Sequence, residues 1–271
     1  LVDGKGQLQD MDHQVMVYHE AGERIVDYID GDPEHGWQVP LTETIDKIEI
    51  TTEKELQWLI EEQVEYAGFV IWEKSKRYCS IEKAKEIIKK ARTDSIKTVA
   101  VTVNPGLELV QEIADAGFDV LQVHGKLDRE VAEEAKLPIW LAINLNGWEE
   151  LEEARQKIAL ETGYRKGAIE AVLADAKEYG SGRTFGWDSF RAGEEKLQQT
   201  YFEFRKELNE QQIAFILAGG LKKDNVKRGI SIFKPDIVDV SSSVEKEENG
   251  GTGSGKDRAK IKEFVQCVRR E

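Results

Sequence analysis

From about residue 45 to its end, the chain repeats one pattern eight times: a short apolar run, a brief connection, then an amphipathic helical stretch. The runs are Ile45–Ile50, Ala67–Trp72, Lys97–Val103, Val120–Val123, Ile139–Asn144, Ile169–Ala174, Ile213–Ala218 and Ile237–Ser241. They are rich in Val, Ile and Ala and are mostly continuous, which is how strands buried on both faces read. The helical stretches between them are Glu53–Glu65, Ile81–Ala91, Leu107–Ala116, Arg129–Ala135, Glu149–Leu160, Glu194–Leu208, Lys223–Ile230 and Asp257–Val268. Strand–helix alternation predicts a parallel sheet covered by helices. A doubly wound open sheet is one solution. Eight units over residues 45–271 favour the other, a (β/α)8 TIM barrel.

Residues 1–44 stand outside this rhythm. The stretch "HQVMVYHEAGERIVDYIDGD" reads as two strands around a turn at Ala21-Gly22, a hairpin in an N-terminal extension. Near the other end, "EKEENGGTGSGKD" (Glu245–Asp257) reads as a flexible glycine-rich loop before the last helix. It is not a P-loop: the spacing is wrong, and Asp257 occupies the position that needs Ser or Thr.

Composition narrows the function classes. The 271 residues carry a formal net charge of −14, which argues against nucleic acid or an anionic membrane surface as the main partner. No run approaches the ~20 apolar residues of a membrane span. No secretory leader pattern is visible at the polar, acidic start. Two cysteines, Cys79 and Cys267, make neither a disulfide framework nor a zinc site, so a reducing cytoplasm is expected. A small anionic substrate stays compatible with the acidic balance, because backbone N–H groups can hold a phosphate.

A barrel of this type keeps its chemistry at the C-terminal ends of the strands. Asp175 ends the sixth run and opens a glycine-rich loop with an aromatic pair, "KEYGSGRTFGW". The ordinary role for such an Asp is a cap or turn former; the sharper one is a catalytic acid beneath a loop. Gly219-Gly220 ends the seventh run, and Ser241-Ser242-Ser243 ends the eighth. Either pair alone reads as a plain turn, but their joint position after the last two strands predicts a phosphate site at Gly219, Gly220, Ser242 and Ser243. Arg77, in the loop after the second run, suits an anionic substrate group better than a lysine would. His124, at the end of the fourth, is either a ligand contact or a structural ring bonded to a loop carbonyl.

The stretches "AGFVIWEKSKRYCS", "VLQVHGKL", "YGSGRTFGW", "ILAGGLKKDNV", "VDVSSSVE" and "GKDRAKIKEFV" occur in order. With them the chain resembles the phosphoribosylanthranilate isomerase family of tryptophan biosynthesis, from about Ile45 to the C-terminus. The resemblance implies a barrel without metal or organic cofactor. It also implies an Amadori rearrangement of N-(5-phosphoribosyl)anthranilate, an aminoaldose, to the 1-deoxyribulose phosphate aminoketose. By resemblance Asp175 is the general acid, Arg77 holds the anthranilate carboxylate, and the Gly-Gly and Ser-Ser turns hold the phosphate. The alternative is a non-catalytic paralogue that binds a phosphorylated ligand or a protein partner.

Three departures from the family pattern bear on activity. Relatives carry Lys-Ile-Cys-Gly on the first strand, with the Cys as general base, whereas this chain reads "IDKIEITTEKEL". Counted without gaps, the Cys position is Ile48; with one residue deleted after the strand it is Glu49. Alternation allows only one of the two to face the barrel mouth. Glu49 inward is favoured, because a charge facing packed helices is costly without a partner. A glutamate base would work best with its pKa raised toward neutrality by burial. In addition, Phe185-Gly186-Trp187 stands for the family's Phe-Asp-Trp, and Ser243 for a glycine.

Overall fold

The computed structural model describes residues 14–18, 24–29, 45–90, 96–145, 150–176, 195–248 and 251–269. The chain divides into two compact units, residues 1–43 and 44–271. In the first unit Gln14–Tyr18 pairs antiparallel with Arg24–Ile29, Gln14 opposite Ile29 and Tyr18 opposite Arg24.

The second unit alternates strand and helix throughout. Its order is β1 (Ile45–Glu49), α1 (Glu53–Glu61), β2 (Tyr66–Val70), α2 (Ile81–Lys90), β3 (Lys97–Val103), α3 (Leu107–Ala116), β4 (Val120–His124) and α4 (Arg129–Glu134). It continues with β5 (Ile139–Leu145), α5 (Leu151–Thr162), β6 (Ile169–Ala176), α6 (Glu195–Glu210), β7 (Ala214–Leu217), α7 (Val226–Phe233), β8 (Ile237–Val240) and α8 (Arg258–Arg269). Neighbouring strands are parallel, and β8 returns to pair with β1 through Ile237–Val240 opposite Ile45–Ile48, closing the sheet into a barrel. The open-sheet alternative is thereby excluded.

Two apolar layers follow from strand alternation. Ile48, Phe69, Leu121, Val172, Phe215 and Val238 face outward and pack with helix residues such as Leu56, Leu59, Ile113 and Phe204. Val99, Val101, Val120, Trp140, Leu173, Ile216 and Ile237 fill the interior. The inward residues grow polar toward the C-terminal ends: Val120 is followed by Gln122 and His124, Leu173 by Asp175, and Ile237 by Asp239. In β1 the inward positions are Lys47 and Glu49, since Ile48 lies in the outer layer, fully buried. Asp46 faces outward with a partner, accepting a hydrogen bond from Arg269 of α8 at 3.3 Å.

The reading of residues 245–257 as a flexible loop is corrected. Glu245–Glu248 and Gly251–Lys256 form an antiparallel ribbon, with Glu245 directly opposite Lys256. Both of these side chains are buried and paired, and the Lys256 backbone N–H donates to Glu55 Oε1 at 2.6 Å. Glu55 is itself fixed by a capping box with Thr52 at the start of α1. The charged ends thus order a stretch whose glycines alone suggest freedom.

Candidate active site

The C-terminal mouth of the barrel is built on a buried ion pair. Lys47 and Asp239 are Cα partners across β1 and β8, and their side chains meet at 2.7 Å with Lys47 fully buried. Two charges out of water hold only when paired and hydrogen-bonded, so each fixes the other. One layer nearer the mouth, Glu49 stands opposite Gly68 of β2. A Cβ on Gly68 would lie 3.1 Å from Lys47 Cε and 3.2 Å from Glu49 Cγ. The missing side chain there lets both long side chains share the mouth.

Glu49 Oε2 accepts a hydrogen bond from Ser241 Oγ at 2.6 Å and lies 4.0 Å from Arg77 Nε. Burial alone would raise its pKa. The charges of Lys47 and Lys256, the Ser241 hydrogen bond and the Arg77 charge outweigh burial and hold it below the usual carboxylate value. The condition under which a glutamate base would work best, a pKa raised toward neutrality, is thus not met in the free protein: this carboxylate has too many cations around it.

Arg77 stands at the rim, its Nε donating to Glu245 Oε1. Among the described residues its buried Nη2 has no hydrogen-bond partner. His124 Nε2 meets Gln122 Nε2 at 2.8 Å, so that ring nitrogen accepts when the amide donates. Burial, followed by the Lys47 charge, lowers the His124 pKa to about 4. A neutral imidazole is therefore part of the fold at neutral pH. Because this folded value lies below the unfolded one, near 6.5, protonation favours the unfolded chain. His124 contributes stability that is complete above about pH 6.5 and is lost as pH falls toward about 4. Denaturant unfolding across that window, compared with His124→Gln, checks this: the variant should lose less stability on acidification.

Asp175 shares the inward face of β6 with Ala171 and Leu173 and is half-buried, opposite Asn144 of β5. The loop that follows, with Phe185, Gly186 and Trp187, lies outside the described residues. After β7, Gly219 and Gly220 have φ of 77° and 68°, a left-handed pair that side chains rarely adopt. Asn225 closes this turn, donating to the Gly220 carbonyl at 2.9 Å and accepting from Lys222 N at 2.8 Å, and α7 starts directly after it. Ser242 and Ser243 open a single 3₁₀ turn beyond β8, the neighbouring strand. Ser243 is not among the positive-φ residues, so its replacement of a glycine brings no backbone strain here. Its buried Oγ has no partner among the described residues.

Lys47, Asp239, Glu245 and Lys256 belong to this mouth, and sequence reading did not single them out as site residues, while Ser241, read there with Ser242 and Ser243, bonds Glu49. The available signal was a charge inside an otherwise apolar strand, as in "DKIEI" and "IVDV". Among the described residues no group of three His, Cys, Asp or Glu could hold a metal ion.

A closed parallel barrel with buried charged groups at its C-terminal mouth, beside a glycine turn, is a barrel-enzyme architecture. Comparison with known proteins is specific. The family described as N-(5'phosphoribosyl)anthranilate (PRA) isomerase matches residues 45–267. A relative from Aquifex aeolicus, named N-(5'-phosphoribosyl)anthranilate isomerase, is 34% identical over 226 residues, covering 82% of this chain and 96% of the relative. One of the same name from Streptococcus mutans is 31% identical over 222 residues, with 82% and 96% covered. The solved phosphoribosyl anthranilate isomerase of Thermotoga maritima superposes with a TM-score of 0.65 at 26% identity, covering 83% of this chain and 98% of that one. The chain belongs to the phosphoribosylanthranilate isomerase family.

Proposed function

We propose that this protein is a phosphoribosylanthranilate isomerase, converting N-(5'-phosphoribosyl)anthranilate to its 1-deoxyribulose phosphate aminoketose. The observation that carries this reading is the family match over residues 45–267, essentially the whole barrel. Nothing in the described residues favours the non-catalytic alternative.

The proposed chemistry uses the two inward carboxyl groups. Asp175 gives a proton to the furanose ring oxygen, the C1–O bond breaks, and the anthranilate nitrogen supplies the electron pair of the new C1=N bond. Glu49 then takes the proton from C2, and that electron pair shifts through C1 onto nitrogen to form the enolamine. Loss of the enol proton and protonation of C1 complete the ketone, so the reaction is a net isomerisation. Arg77 holds the anthranilate carboxylate with its guanidinium, whose Nη2 has no hydrogen-bond partner among the described residues. His124, neutral, lines the mouth. Gly219, Gly220, Ser242 and Ser243 hold the phosphate through backbone N–H groups and hydroxyls.

The partner implied is a phosphorylated small molecule, and the site proposed takes it without metal or organic cofactor. No helix among the described residues is long and apolar enough to cross a membrane. The proposed compartment is the cytoplasm.

The direct test is turnover of the aminoaldose, followed by loss of anthranilate fluorescence; no conversion above background would overturn the reading. Arg77→Lys keeps the charge and loses the fork, so KM should rise about tenfold with a smaller change in kcat. An unchanged KM would place Arg77 outside substrate binding. Inorganic phosphate should shift the amide resonances of Gly219, Gly220, Ser242 and Ser243; shifts confined to other loops would overturn that assignment.

A further inference from the structure

Lys256, near the end of the chain and just before α8, lies against the mouth although no strand of the barrel carries it. Its side chain is 3% exposed, and its ammonium has three polar neighbours: the Ser241 carbonyl at 3.0 Å, Ser241 Oγ at 3.2 Å and Glu245 Oε1 at 3.4 Å. An ammonium has three donors, and all three are engaged. None is left for substrate. The two residues it grips are the ones that hold the two ends of the proposed site. Ser241 donates to Glu49 at 2.6 Å, and Glu245 accepts from Arg77.

We propose that Lys256 is a positioning residue that joins the base to the substrate-carboxylate site, orienting Glu49 through Ser241 and Arg77 through Glu245. This rests on the isomerase reading above for the roles of Glu49 and Arg77. The hydrogen-bond order is defined. Ser241 has one O–H, which points to Glu49, so its oxygen must accept from Lys256. The cation polarises that hydroxyl and strengthens its bond to the carboxylate. The main chain of Lys256 is fixed as well, because its backbone N–H donates to Glu55 of α1 at 2.6 Å. A flexible lysine thereby becomes a rigid one.

The groups that face Glu49 are Lys47 on its own strand, Asp239 and Ser241 on or after β8, Arg77 after β2, His124 on β4, and Lys256 with Glu245 in the ribbon. Of these, Lys47 acts most strongly on Glu49 and is anchored by Asp239 at 2.7 Å, with Lys256 next. Lys256 is shared between Glu245 at 3.4 Å and the Ser241–Glu49 arm, so its removal should be felt at Glu49.

The test separates this proposal from the isomerase reading. The full chain is labelled with 13C at glutamate side-chain carboxyl carbons, and Glu49 is identified as the resonance absent from Glu49→Gln. Its titration is then followed in wild type, Lys256→Met and Ser241→Ala, with or without turnover. In both variants the Glu49 midpoint should move to higher pH, because a cation or the hydrogen bond it polarises has been removed. If wild type turns over the aminoaldose, the acid limb of its kcat/KM profile should move the same way, with kcat/KM at neutral pH falling about tenfold in Lys256→Met. Should Lys256→Met fail to fold, Ser241→Ala carries the test, since it cuts only the arm to Glu49. A Glu49 midpoint equal to wild type in the folded variants overturns the proposal. Absence of wild-type turnover counts against the isomerase reading alone.

Discussion

Glu49→Gln should lower kcat by about 10³-fold or more while leaving substrate affinity within a few-fold of wild type. The amide keeps the side chain's size, and its oxygen can still accept from Ser241 Oγ, the 2.6 Å contact that orients the carboxylate. What it lacks is a basic site for the C2 proton. The geometry makes a bypass difficult. His124 is neutral at working pH but tied to Gln122, and Lys47 is tied to Asp239. Activity within a few-fold of wild type would remove Glu49 from the mechanism. The depressed pKa adds an expectation for the active enzyme. A carboxylate held low is ionised throughout the neutral range but takes up a proton less readily. If the substrate carboxylate pairs with Arg77 as proposed, one of the charges holding Glu49 low is cancelled. The base should therefore be stronger in the complex than in the free protein, and the acid limb of kcat should lie at higher pH than that of kcat/KM. Coincident limbs would argue against this coupling.

Asp175→Asn should reduce kcat by ~10²-fold or more with ligand affinity nearly unchanged. The residue lies three strands from Glu49 around the closed sheet, through β7 and β8, on the same inward face and at the same C-terminal end. The proposed acid and base thus stand on different walls of one mouth, which a sugar lying across it would need. Asparagine is nearly isosteric and still donates a hydrogen bond, but it cannot release a proton to the ring oxygen. The loss should be smaller for a substrate analogue whose ring is already open, because only the ring-opening step needs the acid. Equal losses on both, or full activity in the variant, would return Asp175 to the role of a loop former.

The eightfold strand–helix rhythm is a property of local pattern and was legible in the residues alone, whereas the choice of a closed barrel over an open sheet rests on the pairing of β8 with β1. Alternation in "DKIEI" puts Lys47 and Glu49 on one face whatever the partner strands. The paired glycines at 219–220 state their own backbone conformation, since few other residues tolerate it. The inward direction of β1 rests on the tertiary structure: a slip of one residue would send Ile48 inward and both charges out toward the helices. Burial of Ile48 in the outer layer, and a partner for Lys47 in Asp239, decide that register. The state of Glu49 was likewise beyond the sequence. Burial argued for a raised pKa, but Ser241 lies 192 residues away in the chain, and Lys256 is further still. The ribbon was misread for the same reason. Its glycines are a local signal of freedom, whereas Glu55, 201 residues from Lys256, fixes it. Contacts at such separations leave no periodicity in a single sequence, and only closure of the barrel brings β1 and the segment after β8 to one mouth.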